Sequence, residues 1–438
     1  MIAWRTWPWW CKLLAIGGAV IAVTVVSFAT WFFSDADLRR VEERAKAMGV
    51  ATTWEEFGVE IPPGEVLAAW TIFESRTRPL KSWVESNGYD KVRLPVIGEL
   101  PPPSFLEHVH AVAPILAEAI DALPPHRLIP GNHGASGSRV PSLSLFRNPM
   151  KLQGEVVLAA ETSSLPDALR RFYRLVEDQP THLSQIGHLI QVGNCSSLLH
   201  PTAARHAELD RTTCLDLASR LEVLSIQLET LGKASMRGSF IEFLRELSAG
   251  DVELLFMLSN TGSNSDWLNH LAFRCGRSPL LHAQLDWVEM IENTPKASER
   301  KVILMARIQA AEALPRWSPS GTLLKTILPA WQMMENKSNQ VRSQLILAAR
   351  LLRHDDPGLD PISGEAYVRY ERDDRVIGWY SPGLDGDDGG DQRKDWCLPW
   401  YEPWKIPTRP IMEVPSEGTS MPEPGTAADV ETTPSRAF

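Results

Sequence analysis

The stretch YSPGLDGDDGGD, residues 380–391, contains the residue types in this chain that are best suited to binding a cation. Asp385, Asp387, Asp388 and Asp391 carry short carboxylate side chains, and the glycines between them let the backbone curl so that several oxygens can converge. Hard cations such as Ca²⁺ take about six to eight oxygen ligands. The pattern by itself fits either a cation-binding loop or a solvated acidic turn.

The acidic loop does not follow the EF-hand pattern. Counted from Asp385, the sixth residue is Gly390, as that pattern requires, but the twelfth is Trp396 where a bidentate Glu belongs. A calcium site here would therefore be of another kind.

Histidines and small nucleophiles do not form a catalytic pattern. The chain has 11 histidines but no H-E-x-x-H. His108 and His110 are two residues apart on a predicted helix and would diverge, whereas His200 and His206 lie near carboxylates without a specified geometry. The Gly/Ser-rich residues 131–138 match neither a phosphate-binding loop nor a nucleophile elbow. We predict no catalytic residue, and an anchored hydrolase with a site in the helical body is the alternative function.

Charge and cysteine usage exclude some classes of partner. The net charge of -10 and the lack of a Lys/Arg run argue against a general nucleic-acid-binding protein, which needs a clustered basic surface. The 5 cysteines show no paired metal-binding spacing and do not identify a redox compartment.

The segment Leu13–Phe33, LLAIGGAVIAVTVVSFATWFF, contains no charged residue. Its length matches one helical crossing of a hydrocarbon layer of about 30 Å, and tryptophans flank it as in interfacial aromatic belts. We predict an aromatic and basic flank at 1–12 and a transmembrane helix at 13–33. A signal peptide cleaved near Ser27–Ala29 is the alternative.

The orientation of the chain is less strongly marked. Basic residues both precede and follow the hydrophobic segment, but the preceding side has no acidic residue, and long domains translocate largely regardless of flanking charge. We expect a single-pass protein of the cell membrane with its C-terminal body on the extracytoplasmic side.

Residues 34–356 show helical periodicity, and no stretch before Ala366 alternates convincingly as a strand does. Thr53 and Glu56 have the spacing of a capping box. Apolar seams predict buried helix faces at Leu165, Ala168, Leu169, Phe172, Leu175 and Val176, at Leu217, Leu221, Leu224, Leu228 and Leu231, and at Val341, Leu345, Ala348 and Leu352. The predicted fold class is all-α: a multi-helix body after the N-terminal transmembrane helix, with a small C-terminal hairpin.

Residues 357–404 are predicted to contain a β-hairpin and the acidic loop. The runs at 366–371 and 375–381 are short, aromatic and β-branched, which is typical of paired strands. Trp396, Trp400, Tyr401 and Trp404 form an aromatic cluster that we interpret as a cap on the core. Residues 405–438 are rich in Pro, Thr, Glu and Ser, so we predict a disordered tail.

Residues 360–390 resemble the C-terminal end of the major pseudopilins of type II secretion, in which a hairpin leads into a calcium-binding loop. The matching residues are Asp360, Pro361, Gly364, Tyr367, Ser381, Gly383, Asp385 and Gly386. The resemblance implies a calcium loop with Asp385 as one ligand and one or more of Asp387, Asp388 and Asp391 as others. The N-terminus lacks the prepilin cleavage Gly and the following Glu, so the resemblance does not extend to fibre assembly.

Residues 165–199 are similar to a group of single-anchor helical membrane proteins of planctomycete-type bacteria that carry the same C-terminal ending. The similarity to that group implies no particular activity. We therefore expect a membrane-anchored extracytoplasmic protein with a structural or protein-interaction role, and the pseudopilin resemblance implies a link to a secretion or pilus-like assembly. The expected partners are the lipid bilayer and other proteins.

Overall fold

The computed structural model describes eleven stretches of the chain: 23–24, 35–59, 64–86, 103–125, 128–130, 147–179, 181–249, 266–315, 319–372, 375–384 and 396–400. The predicted transmembrane helix 13–33 lies outside these residues apart from Val23 and Thr24, and the tail 405–438 lies outside them entirely. Within the described stretches, no helix combines the length and apolar character needed to cross a bilayer.

The described part of the chain is mostly helical, which confirms the predicted class of the body. In chain order the helices are α1 (Ala36–Ala47), α2 (Trp54–Phe57), α3 (Gly64–Ser86), α4 (Pro103–Asp121), α5 (Arg147–Ala159), α6 (Leu165–Glu177), α7 (Gln185–Arg205), α8 (Arg211–Ala249), α9 (Asp266–Asn293), α10 (Ala297–Glu312) and α11 (Pro319–Arg353). The predicted cap at α2 forms, because the Glu56 amide donates to Thr53 Oγ1 at 3.2 Å. The Glu56 carboxylate accepts a hydrogen bond from the Thr52 amide at 2.8 Å.

Helices α8 and α11 form the long central pair of the bundle. Arg342 of α11 donates to the Ser225 carbonyl of α8 at 3.3 Å. Arg353, further along α11, pairs with Glu222, which lies nearer the start of α8. The two helices therefore run antiparallel. All residues of the predicted seams on α6, α8 and α11 are buried. Periodic apolar residues therefore correctly predicted the faces on which these helices pack.

Two hydrophobic cores follow one another along this central pair. The first core contains α3 to α7, the first half of α8 up to Leu228, and the second half of α11 from Val341. The second core contains α1, α9, α10, the part of α8 from Met236 and the part of α11 up to Met334. The two cores thus meet between these positions of α8 and α11.

The first helix after the predicted membrane segment is fixed in the second core. Leu38, Val41 and Ala45 of α1 are buried. Arg277 of α9 is only 2% exposed and donates to Asp37 at 2.8 Å and to Asp35 at 3.1 Å. The structure therefore joins α1 to the bundle through both apolar packing and charged hydrogen bonds.

The helical body also contains a short strand pair that the sequence did not predict. Strand β1 (Leu128–Pro130) pairs in parallel with β2 (Thr181–Leu183). Three-residue segments are too short to show alternation, so the prediction that no strand precedes Ala366 was wrong at these two places.

The C-terminal segment forms an antiparallel sheet with the order β3–β4–β5. Strands β3 (Val368–Arg372) and β4 (Arg375–Ser381) are the predicted hairpin, with a register shift between Tyr370 and Glu371. Strand β5 (Trp396–Pro399) was not predicted and pairs with the end of β4.

Candidate functional site

The predicted calcium ligands Asp385, Asp387, Asp388 and Asp391 lie outside the described residues. The structure does describe the base of their loop. Ser381, the last residue of β4, is paired with Trp396, the first residue of β5, so the two ends of the loop are held side by side. Among the described residues, no group of three or more His, Cys, Asp or Glu side chains is placed to hold a metal ion.

Asp360 is the centre of a buried polar network at this base. Its carboxylate is fully buried and accepts hydrogen bonds from Ser381 Oγ at 2.6 Å, Ser363 Oγ at 3.0 Å and the Ile362 amide at 2.9 Å. The two serine hydroxyls bind Oδ2, whereas the Ile362 amide binds Oδ1, and Tyr367 OH also lies 3.3 Å from Oδ1. These donors satisfy a charge that would otherwise be strongly disfavoured in the interior.

Tyr367 connects this network to the helical bundle. Its hydroxyl lies 3.1 Å from Ser343 Oγ and 3.0 Å from the Ser343 carbonyl on α11. Burial raises the pKa of Tyr367, and the nearby Asp360 charge adds to the rise, so the phenol stays protonated. The ring also lies under the Arg350 guanidinium, 5.9 Å from it. The phenol thus bridges the sheet and α11.

Two glycines shape the backbone around the network. Gly364 has φ +83° and Gly383 has φ +76°, conformations that residues with a Cβ rarely adopt. The Gly383 amide donates to Ser381 Oγ at 3.2 Å, so the chain turns at Gly383, two residues before Asp385. The residues that carry the pseudopilin resemblance and are described here therefore gather at one place, and their contacts stabilise the fold.

Strand β5 is also attached to the bundle. Gln344 of α11 donates to the Cys397 carbonyl. The buried Trp400 ring stacks on His206 with a centroid distance of 4.5 Å. Trp400 therefore packs on the first core as predicted, and Trp396 is buried, whereas Tyr401 and Trp404 lie outside the described residues.

A serine–histidine contact lies where the two hydrophobic cores meet. His188 of α7 is buried, and its Nε2 is 3.2 Å from Ser338 Oγ of α11. Burial lowers the pKa of His188 to about 4, helped by the Arg342 charge, so the imidazole is neutral at pH 7. Its Nδ1 has no partner among the described residues, whereas a catalytic triad would place a carboxylate there.

The cavity beside His188 is too small for a substrate. Its volume is about 30 Å³, and Gly232 of α8 faces the ring so closely that an added Cβ would lie 3.3 Å from Cε1. Ligand pockets are usually about 300–1,000 Å³. The charged groups that line the cavity are already paired, as in the 2.7 Å contact of Arg300 with Glu335. The contact therefore joins α7 to α11 and does not fit the alternative hydrolase function.

A second histidine forms a buried pair that sequence reasoning missed. His108 of α4 and Glu155 of α5 are 2% and 4% exposed, and Nε2 lies 3.1 Å from Oε2. Burial raises the pKa of Glu155 to about 7 and lowers the pKa of His108. We therefore describe the pair at neutral pH as a hydrogen bond that shares a proton rather than as two full charges. The partners are 47 residues apart, so no local spacing could have revealed them.

A larger surface groove, of about 480 Å³, lies between α4, α6 and α8. It is lined by arginines and carboxylates, with neither a histidine nor a hydroxyl nucleophile among its lining residues. Each arginine has a carboxylate within 3.3 Å, in the pairs Arg170–Asp167, Arg171–Asp121, Arg174–Asp178 and Arg220–Glu177. An anionic ligand would have to displace these pairs.

Comparisons of the chain with protein-family models, with curated protein sequences and with solved structures give no match. The pseudopilin and planctomycete resemblances therefore stay expectations from the sequence.

Proposed function

We propose that this protein is a membrane-anchored scaffold with a structural or protein-interaction role, whose body lies on the extracytoplasmic side. Residues 13–33 are the proposed anchor. The helical bundle then acts as a connector that presents the C-terminal sheet and its acidic loop to other proteins.

The observation that carries this proposal is that both ends of the connector are fixed by buried polar contacts. At one end, Arg277 holds α1 through Asp35 and Asp37, directly after the hydrophobic segment. At the other end, Asp360 and Tyr367 hold the sheet to α11. Buried charged and polar networks fix one arrangement because each unpaired member would be costly. Such attachments suit a part that must hold its position.

The central helices separate the two attachments. Ser343, which contacts the sheet, lies 24 residues after the start of α11 at Pro319. At 1.5 Å per residue, this distance is roughly 36 Å. The proposed connector would thus keep the sheet well away from the end of the bundle that carries the start of α11.

We propose that the acidic loop binds Ca²⁺ through Asp385, Asp387, Asp388 and Asp391. The closed base at Ser381 and Trp396 supports this proposal, because a cation would neutralise carboxylates that lie on one loop whose ends are held together. Titration calorimetry of the detergent-solubilised full chain tests it. Asp385→Ala should weaken Ca²⁺ binding at least tenfold, whereas Glu365→Ala, an exposed carboxylate outside the loop, should not. Equal binding by both variants would refute the calcium site.

The anchor and its orientation are tested in cells that express the full chain. We expect the protein to stay in the membrane fraction after an alkaline wash and to be digested by protease added to intact cells. Release by the alkaline wash would refute the anchor, and protection from the protease would place the body on the cytoplasmic side.

The proposed link to a secretion or pilus-like assembly rests on the resemblance alone. Cross-linking in cells followed by identification of the attached proteins tests that link.

A further inference from the structure

The position of the bundle relative to a bilayer follows from chain length if the proposed anchor is correct, and the inference rests on that proposal. The hydrophobic segment ends at Phe33 and α1 begins at Ala36. One residue spans at most about 3.6 Å, so the start of α1 must lie within roughly 11 Å of the end of the segment. Because α1 is fixed in the core, the chain leaves no flexible stalk between the bundle and the membrane.

Helix α9 extends past the start of α1 on this side. The two helices run parallel, since Asp37 contacts Arg277, and Arg44, further along α1, contacts Asp286, further along α9. Asp266, the first residue of α9, precedes Arg277 by eleven residues. At 1.5 Å per residue, α9 begins roughly 16 Å beyond its contact with Asp37.

The last turns of α8 lie at the same end. Helix α10 is antiparallel to α11, because Arg300 contacts Glu335 whereas Met305, further along α10, contacts Gln332, earlier on α11. The chain reverses direction at residues 294–296, so α9 and α10 are antiparallel. Because α10 is antiparallel to α11, α9 runs parallel to α11. Because α11 is antiparallel to α8, α9 is also antiparallel to α8. Ala249, which ends α8, and Asp266, which begins α9, therefore share one end of the bundle.

Exposed groups of both signs are described at this end, and the arginines among them can meet lipid phosphates. Arg39 and Arg40 in the first turns of α1 are exposed, and so is Arg245 in the last turns of α8. Glu242 and Glu246 lie beside Arg245, and burial together with the Glu246 charge raises the pKa of Glu242 to about 7, which weakens the local negative charge.

We propose that this end of the bundle, formed by the starts of α1 and α9 and the last turns of α8, rests on the phospholipid headgroup layer. The exposed arginines contact lipid phosphates, and α9 reaches the interface ahead of α1. The bundle therefore stands on the membrane with α8 and α11 directed away from it. The sheet lies at the opposite end.

The test places a fluorophore at one of two matched serines of α8. Ser248 and Ser219 are both exposed, and each hydroxyl donates to the carbonyl four residues earlier. They are 29 residues apart on one helix, which is roughly 44 Å. The full chain, labelled through a non-canonical amino acid, is reconstituted in phosphatidylglycerol-containing vesicles with a headgroup-attached nitroxide quencher.

We expect quenching at Ser248 to be at least fivefold greater than at Ser219. Equal quenching at both positions, with the protein still floating with the vesicles, would overturn this inference while leaving the anchor intact, because the bundle would then lie on its side or stand off the surface. Failure of the labelled chain to float with the vesicles would overturn the proposed anchor and this inference with it.

Discussion

Asp360 shows how a single carboxylate can be held in a protein interior. Its donors are two serine hydroxyls, a phenol and a backbone amide, and Tyr367 and Ser381 each belong to a different part of the C-terminal segment. Removal of the carboxylate would break all of these hydrogen bonds at once, so Asp360 stabilises the arrangement of the sheet by more than a single hydrogen bond would.

We expect Asp360→Ala to destabilise the sheet by about 3 kcal/mol, because the substitution removes the shared acceptor of several buried hydrogen bonds. Hydrogen exchange of the β3 and β4 amides should accelerate while exchange in α8 changes little. Asp356→Ala is the control, since Asp356 is exposed and its carboxylate accepts a long hydrogen bond from the Gly358 amide at 3.3 Å. Unchanged exchange in the sheet of the Asp360→Ala protein would contradict the role of this network.

The pair of His108 and Glu155 predicts a pH dependence of stability. The pKa of Glu155 is raised from 4.5 to about 7, so between these values the folded protein holds a proton that the unfolded chain has released. Stability from this group is therefore lost as pH rises through that range. His108 acts in the opposite sense, because its lowered pKa costs stability when the pH falls below about 6.5.

Glu155→Gln removes the pH dependence that Glu155 contributes, because the amide cannot ionise. The free energy of unfolding of the unmodified protein, minus that of this variant, should fall by about 2–3 kcal/mol between pH 4.5 and 7. Urea unfolding followed by tryptophan fluorescence measures this difference. Glu118→Gln, at an exposed surface pair with Arg76, should show almost no such dependence. A difference that does not vary with pH would show that folding does not raise the pKa of Glu155.

Sequence patterns identified some of these residues and not others. Asp360, Tyr367 and Ser381 were found through the pseudopilin resemblance, although as neighbours of a calcium loop and not as a buried network. The contact of Arg277 with Asp37 could not be predicted, because the two residues are 240 positions apart and the chain has many other arginines that could pair with Asp37. Contacts between distant residues depend on how helices assemble, and one sequence does not record that.

Among the elements, the long amphipathic helices were predictable and the shortest strands were not. Leu217 to Leu231 repeat at intervals that keep one face of α8 apolar, and the whole set is buried. Strand β5 has only four residues and follows the acidic loop, so its pairing with β4 depends on the closed base of that loop. Parallel pairing of β1 with β2 likewise depends on helices that bring distant residues together.

Close packing of β2 against α8 gives a prediction for two helical glycines. An added Cβ at Gly238 would meet the Leu183 carbonyl and lie 2.9 Å from the Leu183 Cβ, whereas at the exposed Gly193 of α7 it would meet nothing within 4 Å. Gly238→Ala should therefore destabilise the protein by about 1–3 kcal/mol through overpacking.

Gly193→Ala is the matched control and should stabilise the protein by about 0.5–1 kcal/mol, because alanine is the better helix former. Urea unfolding of both variants measures the difference. Equal effects of the two substitutions would contradict the close approach of β2 to α8.

At the scale of the whole molecule, the two cores along α8 and α11 form a continuous support between α1 and the C-terminal sheet. The second core holds α1 and the first holds Tyr367, Leu398 and Trp400. Between them lies the polar contact of His188 with Ser338. Because α8 and α11 pass through both cores, we expect the described part of the chain from α1 to β5 to move as one body on the membrane.

The most direct test of the connector is the height of the sheet above the bilayer. Time-resolved energy transfer from a fluorophore at the exposed Glu365 to acceptors in the headgroup layer measures it for the reconstituted full chain. We predict a single narrow distribution with a mean height above about 30 Å, from the length of α11 between its start and Ser343. Arg277→Met should broaden this distribution. A broad distribution in the unmodified protein, or a sheet lying at the bilayer surface, would contradict the proposal that the bundle is a rigid connector.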